Sequence, residues 1–81
     1  MYYLYILLLK DDSLYTGITS DIDKRLQNHR SGSGSQYVFS RLPFRHIYTA
    51  KFENKFVAAR REKQIKGWRR QKKIDILGLK L

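Results

Sequence analysis

The stretch Tyr2-Tyr3-Leu4-Tyr5-Ile6-Leu7-Leu8-Leu9-Lys10-Asp11-Asp12-Ser13-Leu14-Tyr15-Thr16-Gly17-Ile18-Thr19 decides the fold. Its first eight residues are aromatic or aliphatic, which predicts a strand covered at least in part on both faces. Lys10 to Ser13 is turn chemistry. Leu14 to Thr19 reads as a second strand, and two strands joined this tightly form an antiparallel hairpin. Gly17 inside the second strand marks a bulge or a close approach to the backbone.

Downstream of the hairpin, Thr19 or Ser20 is expected to cap a helix over residues 21–30. Asp21 and Asp23 suit its positive end. Ile22 and Leu26 form its apolar stripe, and Arg25 and His29 flank that stripe four residues apart. Ser31 to Ser35 is a Ser/Gly loop. Gln36 to Arg41 is ambiguous, and Leu42-Pro43-Phe44 interrupts regular structure. Arg45 to Phe52 alternates like a third strand. Asn54 caps a helix over 55–66, with Phe56, Ala59 and Lys63 along one side and Glu62 beside them. Gly67 breaks it, and residues 68–79 read as a last helix. The order ββα-βαα predicts an α+β fold, a three-stranded antiparallel sheet flanked by helices, in one domain spanning 1–81.

The charge is uneven. Lys and Arg number 17 and Asp and Glu 7, a net of +10. Residues 1–40 carry four of each sign, and residues 41–81 carry 13 basic against three acidic, so the excess lies wholly in the second half. A polyanion is the expected partner, most often nucleic acid; the blander reading is a solvated basic surface. Cysteine is absent, which excludes a disulfide framework, a thiolate zinc site and a cysteine nucleophile. The apolar run 2–9 is too short to span a bilayer and lacks the flanks of a secretory signal. A cytoplasmic protein with no membrane partner is expected.

Phosphodiester hydrolysis needs an activated nucleophile, stabilisation of phosphate charge, help for the leaving oxygen and in-line positioning. Carboxylates for this work are scarce. Asp11 and Asp12 lie in a turn, Asp21 and Asp23 at a helix start, and Asp75 among basic residues. Glu62 is flanked by Arg60, Arg61 and Lys63. A surface ion pair with Lys66 is its ordinary fate. No paired-carboxylate or HExxH spacing occurs, which argues against a two-metal nuclease or a glycosidase. One hard cation held by one carboxylate, waters and substrate phosphate would fit, and magnesium tolerates that arrangement. Arg25 and His29 on one helix face point mildly to phosphate chemistry. Tyr5 and Tyr15 fall on adjacent strands, where cross-strand packing is the ordinary role. A phenol can serve as general base only when a neighbouring cation helps, since its free pKa is about 10.

Taken in order, Tyr3-Leu4-Tyr5-Ile6 and Leu14-Tyr15-Thr16-Gly17-Ile18-Thr19 resemble the paired strand motifs of the GIY-YIG endonuclease family. Tyr5 stands at the end of the first motif, and Tyr15-Thr16-Gly17 stands for the second. Arg25 matches the arginine on the following helix, His29 a position often held by histidine or tyrosine, and Glu62 a glutamate on a later helix. The likeness covers almost the whole chain. It is nearest to small stand-alone members related to the N-terminal nuclease domain of the UvrC excision-repair protein. Two departures stand out: the first motif lacks its glycine, and no separate DNA-recognition domain is expected beside the one domain read over 1–81.

The resemblance implies a metal-dependent endonuclease acting on DNA, with a role in repair or recombination and a protein partner for targeting. Tyr15 would help activate the attacking water, and Tyr5 would position water or phosphate. Arg25 would stabilise the phosphate charge, and His29 would bind phosphate or move a proton. Glu62 would hold one Mg²⁺ or Mn²⁺ ion. Lys73 is the nearest counterpart of a polar residue that touches the scissile phosphate. Lys63, Lys66, Arg69, Arg70 and Lys73 would bind the nucleic acid. Two other readings accommodate the same features. One is a non-catalytic nucleic-acid-binding module that keeps the fold. The other is an RNA-associated basic protein whose aromatics stack bases.

Overall fold

The computed structural model describes residues 1–81. Its elements are β1 (Tyr2–Leu8), β2 (Leu14–Thr19), α1 (Ile22–Ser31), α2 (Gln36–Phe39), β3 (Arg45–Phe52), α3 (Lys55–Lys66) and α4 (Arg70–Leu77). The three strands form one antiparallel sheet in the order β2-β1-β3. The expected α+β sheet with flanking helices is therefore present. The element order gains one short helix, α2, in the stretch the sequence left ambiguous.

β1 is central, and its alternation feeds two cores. Tyr5 and Leu7, with Leu9 just beyond the strand, pack with Leu26 of α1 and Val38 of α2 on one face. Leu4 and Ile6 pack with Ile65 of α3 and with Leu79 on the other. A strand buried on both faces explains why its sequence is an unbroken apolar run rather than an alternating one. The register places Tyr5 opposite Gly17 and Leu7 opposite Tyr15. Side chains of directly opposed residues share a face, so Tyr5, Tyr15 and the bare backbone of Gly17 face α1 together. The irregularity in the sheet falls between Ile6 and Leu7 along the β1–β3 pairing, not at Gly17.

Two local expectations are corrected. α1 is capped by Asp21, whose carboxylate accepts the Lys24 amide N–H at 3.1 Å. Thr19 instead accepts the Asp21 N–H and donates to the Asp21 carbonyl, shaping the strand-to-helix corner. A carboxylate also complements the helix dipole, which a hydroxyl cannot. The last helix is shorter than 68–79: Arg69 is its N-cap residue, and it ends at Gly78. On α3 the side that carries Phe56 points outward. Ala58 and Ile65 are the buried residues of α3, while Phe56 is exposed. Asn54 does cap α3, its side-chain oxygen accepting from the Val57 amide at 3.0 Å.

No helix is long and apolar enough to cross a membrane.

Candidate active site

The edge strand β2 sets Gly17 opposite Tyr5 and Tyr15 opposite Leu7 of β1, and α1 lies over them. Tyr5 is 1% exposed, and its hydroxyl lies 2.8 Å from His29 Nε2. His29 is fully buried, because its i+3 spacing from Leu26 puts it on the inward stripe of α1 rather than beside it. The three rings form a cluster. Tyr15 and His29 meet edge to face with centroids 5.4 Å apart, Tyr5 and His29 are 5.8 Å apart, and Tyr5 and Tyr15 6.4 Å.

Two glycines permit this packing. A Cβ on Gly17 would sit 2.5 Å from the Tyr5 hydroxyl oxygen and 2.6 Å from its Cζ. The close approach read from the sequence is thus made by the phenol of β1. A Cβ on Gly34 would sit 2.8 Å from His29 Nδ1, so the Ser/Gly loop closes over the imidazole as bare backbone. His29 Nδ1 has no hydrogen-bond partner there.

The charges around the cluster are consistent with its burial. Desolvation, reinforced by Tyr15 and Glu62 and opposed by Arg25, pushes the Tyr5 phenol well above its ordinary range. Burial first, and then the Arg25 guanidinium, push His29 below its ordinary value. Both groups are held neutral. Arg25 acts on both of them from α1, and Glu62 acts on Tyr5 from α3. Arg25 is half-buried and lines a small polar cleft of about 200 Å³ with Thr19, Ser20, Asp21, Lys24 and Asn28.

A neutral buried histidine makes stability depend on pH. Its folded pKa lies below its unfolded value near 6.5. The unfolded chain therefore binds the proton first on acidification. The contribution is complete above about pH 6.5 and is lost as pH falls toward the folded pKa, by at most about 1.4 kcal/mol per pH unit. Urea titrations between about pH 7 and 5 are expected to show this fall in the wild type and a flatter profile in His29→Asn.

The candidate residues separate into surface and interior groups. Tyr15 is half-buried at the sheet edge, and Arg25 and Glu62 are half-buried on their helices. Tyr5 and His29 are enclosed. As placed here their polar atoms meet each other and not solvent, so they can act on a bound phosphate only through Tyr15 and Arg25. Glu62 makes the ion pair anticipated for it, with Lys66 at 3.3 Å. The side chain of Glu62 remains 21% exposed. No group of three or more His, Cys, Asp or Glu converges anywhere. That donor chemistry suits a hard cation taking one protein carboxylate plus water and phosphate oxygens, and does not suit a closed structural zinc site.

Lys66, which pairs with Glu62, lies near Lys73, as does Arg70. Burial, and then Lys66 and Arg70, depress the Lys73 ammonium. Arg70 donates to the Asp12 carbonyl. Arg70 and Lys73 line the largest cleft, about 590 Å³, against the hairpin turn Asp11–Leu14. Lys63 and Arg69 are exposed.

Two residues not anticipated as part of the site border Tyr15. Tyr37 of α2 stacks on it at 6.3 Å and 25°. The Arg41 guanidinium lies 3.7 Å from the Tyr37 ring centroid and donates to Asp11 at 2.9 Å. Hydrogen bonds from Ser13, joined by Arg41, hold the Asp11 carboxyl below its usual range. An aromatic and an arginine four residues apart, within the segment that the sequence leaves ambiguous, was the available signal.

A model of the GIY-YIG catalytic domain matches residues 1–75. The chain belongs to the GIY-YIG family. It is similar to a UPF0213 protein of Staphylococcus saprophyticus, 42% identical over 76 residues, covering 94% of this chain and 93% of the relative. A UPF0213 protein of Halalkalibacterium halodurans is 44% identical over 79 residues, covering 98% of this chain and 84% of the relative. The solution NMR structure of the UPF0213 protein BH0048 from Bacillus halodurans superposes with a TM-score of 0.63 at 43% identity. It covers 96% of this chain and 84% of that one. GIY-YIG domains define a nuclease family, and these relatives' names state no activity. In this GIY-YIG chain the two tyrosine motifs are the paired strands β1 and β2, and the three rings meet where those strands lie under α1.

Proposed function

We propose that this GIY-YIG protein is a metal-dependent endonuclease that hydrolyses DNA phosphodiester bonds with a single ion. The observation that carries the reading is geometric: the edge Tyr15 meets Tyr5 and His29 with ring centroids 6.4 and 5.4 Å apart, under the helix that carries Arg25. Arg25 acts on both buried members of the ring cluster, while Glu62 reaches the same cluster from α3. A cation and a carboxylate thus act on the ring cluster to which the edge Tyr15 belongs, in a strongly basic chain.

Within this reading the residues divide the work. Tyr15, the ring with access to solvent, orients the attacking water and takes part in removing its proton. Arg25 donates to the phosphate oxygens as negative charge grows on them, in a half-buried setting where such donors act more strongly than in water. Tyr5 and His29 are positioning residues that fix the Tyr15 ring from behind. Glu62 would hold one Mg²⁺ or Mn²⁺ ion, which when bound supplies Lewis-acid stabilisation of the phosphate. Lys66, Arg70 and Lys73 would bind flanking phosphates, with Lys63 and Arg69 adding longer-range attraction. A role in repair or recombination, and a partner for targeting, belong to the same proposal.

The test is cleavage of supercoiled, nicked and branched DNA by purified protein in Mg²⁺, Mn²⁺ or EDTA. Metal-dependent cleavage of any of these substrates is the expected result. Binding without cleavage under every condition would replace this reading with the non-catalytic binding module. A preference for RNA over DNA at fixed salt would move the substrate to RNA.

A further inference from the structure

α3 has an outward face of which the nuclease reading uses only Lys63, as a source of longer-range attraction. Ala58 and Ile65 turn toward the sheet. At about 100° per residue, Phe56, Arg60 and Lys63 line the opposite, outward side. Phe56 is 72% exposed, the most exposed large hydrophobic side chain of the chain. The Arg60 guanidinium lies 5.3 Å from its ring centroid. Glu62 is the single acidic residue of the helix and is paired to Lys66, while Lys55, Arg60 and Lys63 have no carboxylate partner.

A lone exposed aromatic is ordinary on a protein surface. This one differs in its surroundings, since it is set among unpaired cations. A ring with one open face, a guanidinium beside it and flanking ammonium groups is the chemistry that holds unpaired bases. The ring takes the base by stacking, and the cations take the phosphates. Duplex DNA keeps its base faces hidden and offers such a ring nothing to stack on. The position also suits the site. Phe56 lies about 120° around the helix and about 9 Å along its axis from Glu62, with only the small side chain of Ala59 between.

We propose that the Phe56–Arg60–Lys63 stripe is a stacking platform for unpaired nucleotides, so that the nucleic acid taken by this protein has single-stranded character next to the cleavage site. The last clause rests on the nuclease reading; the platform itself does not.

The test is binding in EDTA at fixed salt. Wild type, Phe56→Ala and Phe56→Trp are titrated against a labelled single-stranded oligonucleotide and a duplex of the same length. Phe56→Ala is expected to weaken single-strand binding about tenfold and duplex binding less than about twofold, while Phe56→Trp stays near wild type. Arg60→Gln should lower the salt dependence of single-strand binding by about one phosphate contact. Equal weakening on both substrates, or none on either, overturns the proposal. So does a wild type that sediments as a dimer and becomes monomeric in Phe56→Ala with single-strand affinity unchanged, because the stripe would then be a contact between copies of this chain. Chelation removes cleavage from the measurement. An inactive protein that still shows the Phe56 effect would overturn the nuclease reading and leave the platform standing.

Discussion

Glu62→Gln is expected to cut DNA about a thousandfold more slowly than wild type while binding it at least as tightly. The magnitude follows from the several kcal/mol that a Lewis-acid ion contributes to phosphate charge stabilisation, at about 1.4 kcal/mol per factor of ten. The amide keeps the shape of the carboxylate but is neutral, so a hard cation loses its single protein anion. The fold should not change. Glu62 lies on the surface of α3 outside both apolar clusters, and its pair with Lys66 is partly exposed, a contact worth about 0.3–0.5 kcal/mol. Removing one negative charge from a chain of net +10 favours a polyanion. Cleavage rates under single-turnover conditions, with affinities measured in EDTA, separate the two effects. Cleavage that survives in Glu62→Gln would show that the ion is held elsewhere. Parallel loss of binding and cleavage would show that Glu62 organises the surface rather than the chemistry.

How far this site could be read in the sequence depends on the distance over which each contact forms. The hairpin was legible because turn residues 10–13 separate two apolar runs, and that turn fixes the register that sets Tyr5 across from Gly17. α3 was legible from its Asn54 cap. α2 was not, because it is four residues long with one buried anchor, Val38, and lies between a Ser/Gly loop and Pro43. Its contribution to the site is equally hidden. Tyr37 stacks on Tyr15 and Arg41 reaches Asp11 thirty residues away. The burial of His29 was half legible. Its spacing from Leu26 was visible, but the placement of Gly34 over its ring depends on how the Ser/Gly loop returns. The exposure of Phe56 was not legible, because helical periodicity groups residues by face without saying which face meets the sheet.

Gly17→Ala should destabilise the protein by about 2–5 kcal/mol and disable the site in the molecules that still fold. The backbone at Gly17 is an ordinary strand paired to β1, so any L-residue could adopt it and conformational strain is not the cause. The cause is volume. The added methyl would meet the Tyr5 hydroxyl oxygen at 2.5 Å and Cζ at 2.6 Å, on a ring that is 1% exposed. The phenol cannot swing outward without breaking its 2.8 Å contact with His29 Nε2, and His29 is closed in by Gly34. Overpacking therefore adds to the loss of a buried hydrogen bond, and both disturb the ring against which Tyr15 rests. The double variant Gly17→Ala/Tyr5→Phe tests this account. Deleting the hydroxyl removes the nearest clashing atom but leaves Cζ in place. The second substitution should thus recover part of the stability lost by the first, and double-mutant coupling measured by urea unfolding should be favourable and incomplete. Strict additivity would mean that the methyl group meets something other than Tyr5. Full recovery of cleavage in the double variant would mean that the Tyr5–His29 contact does not position Tyr15.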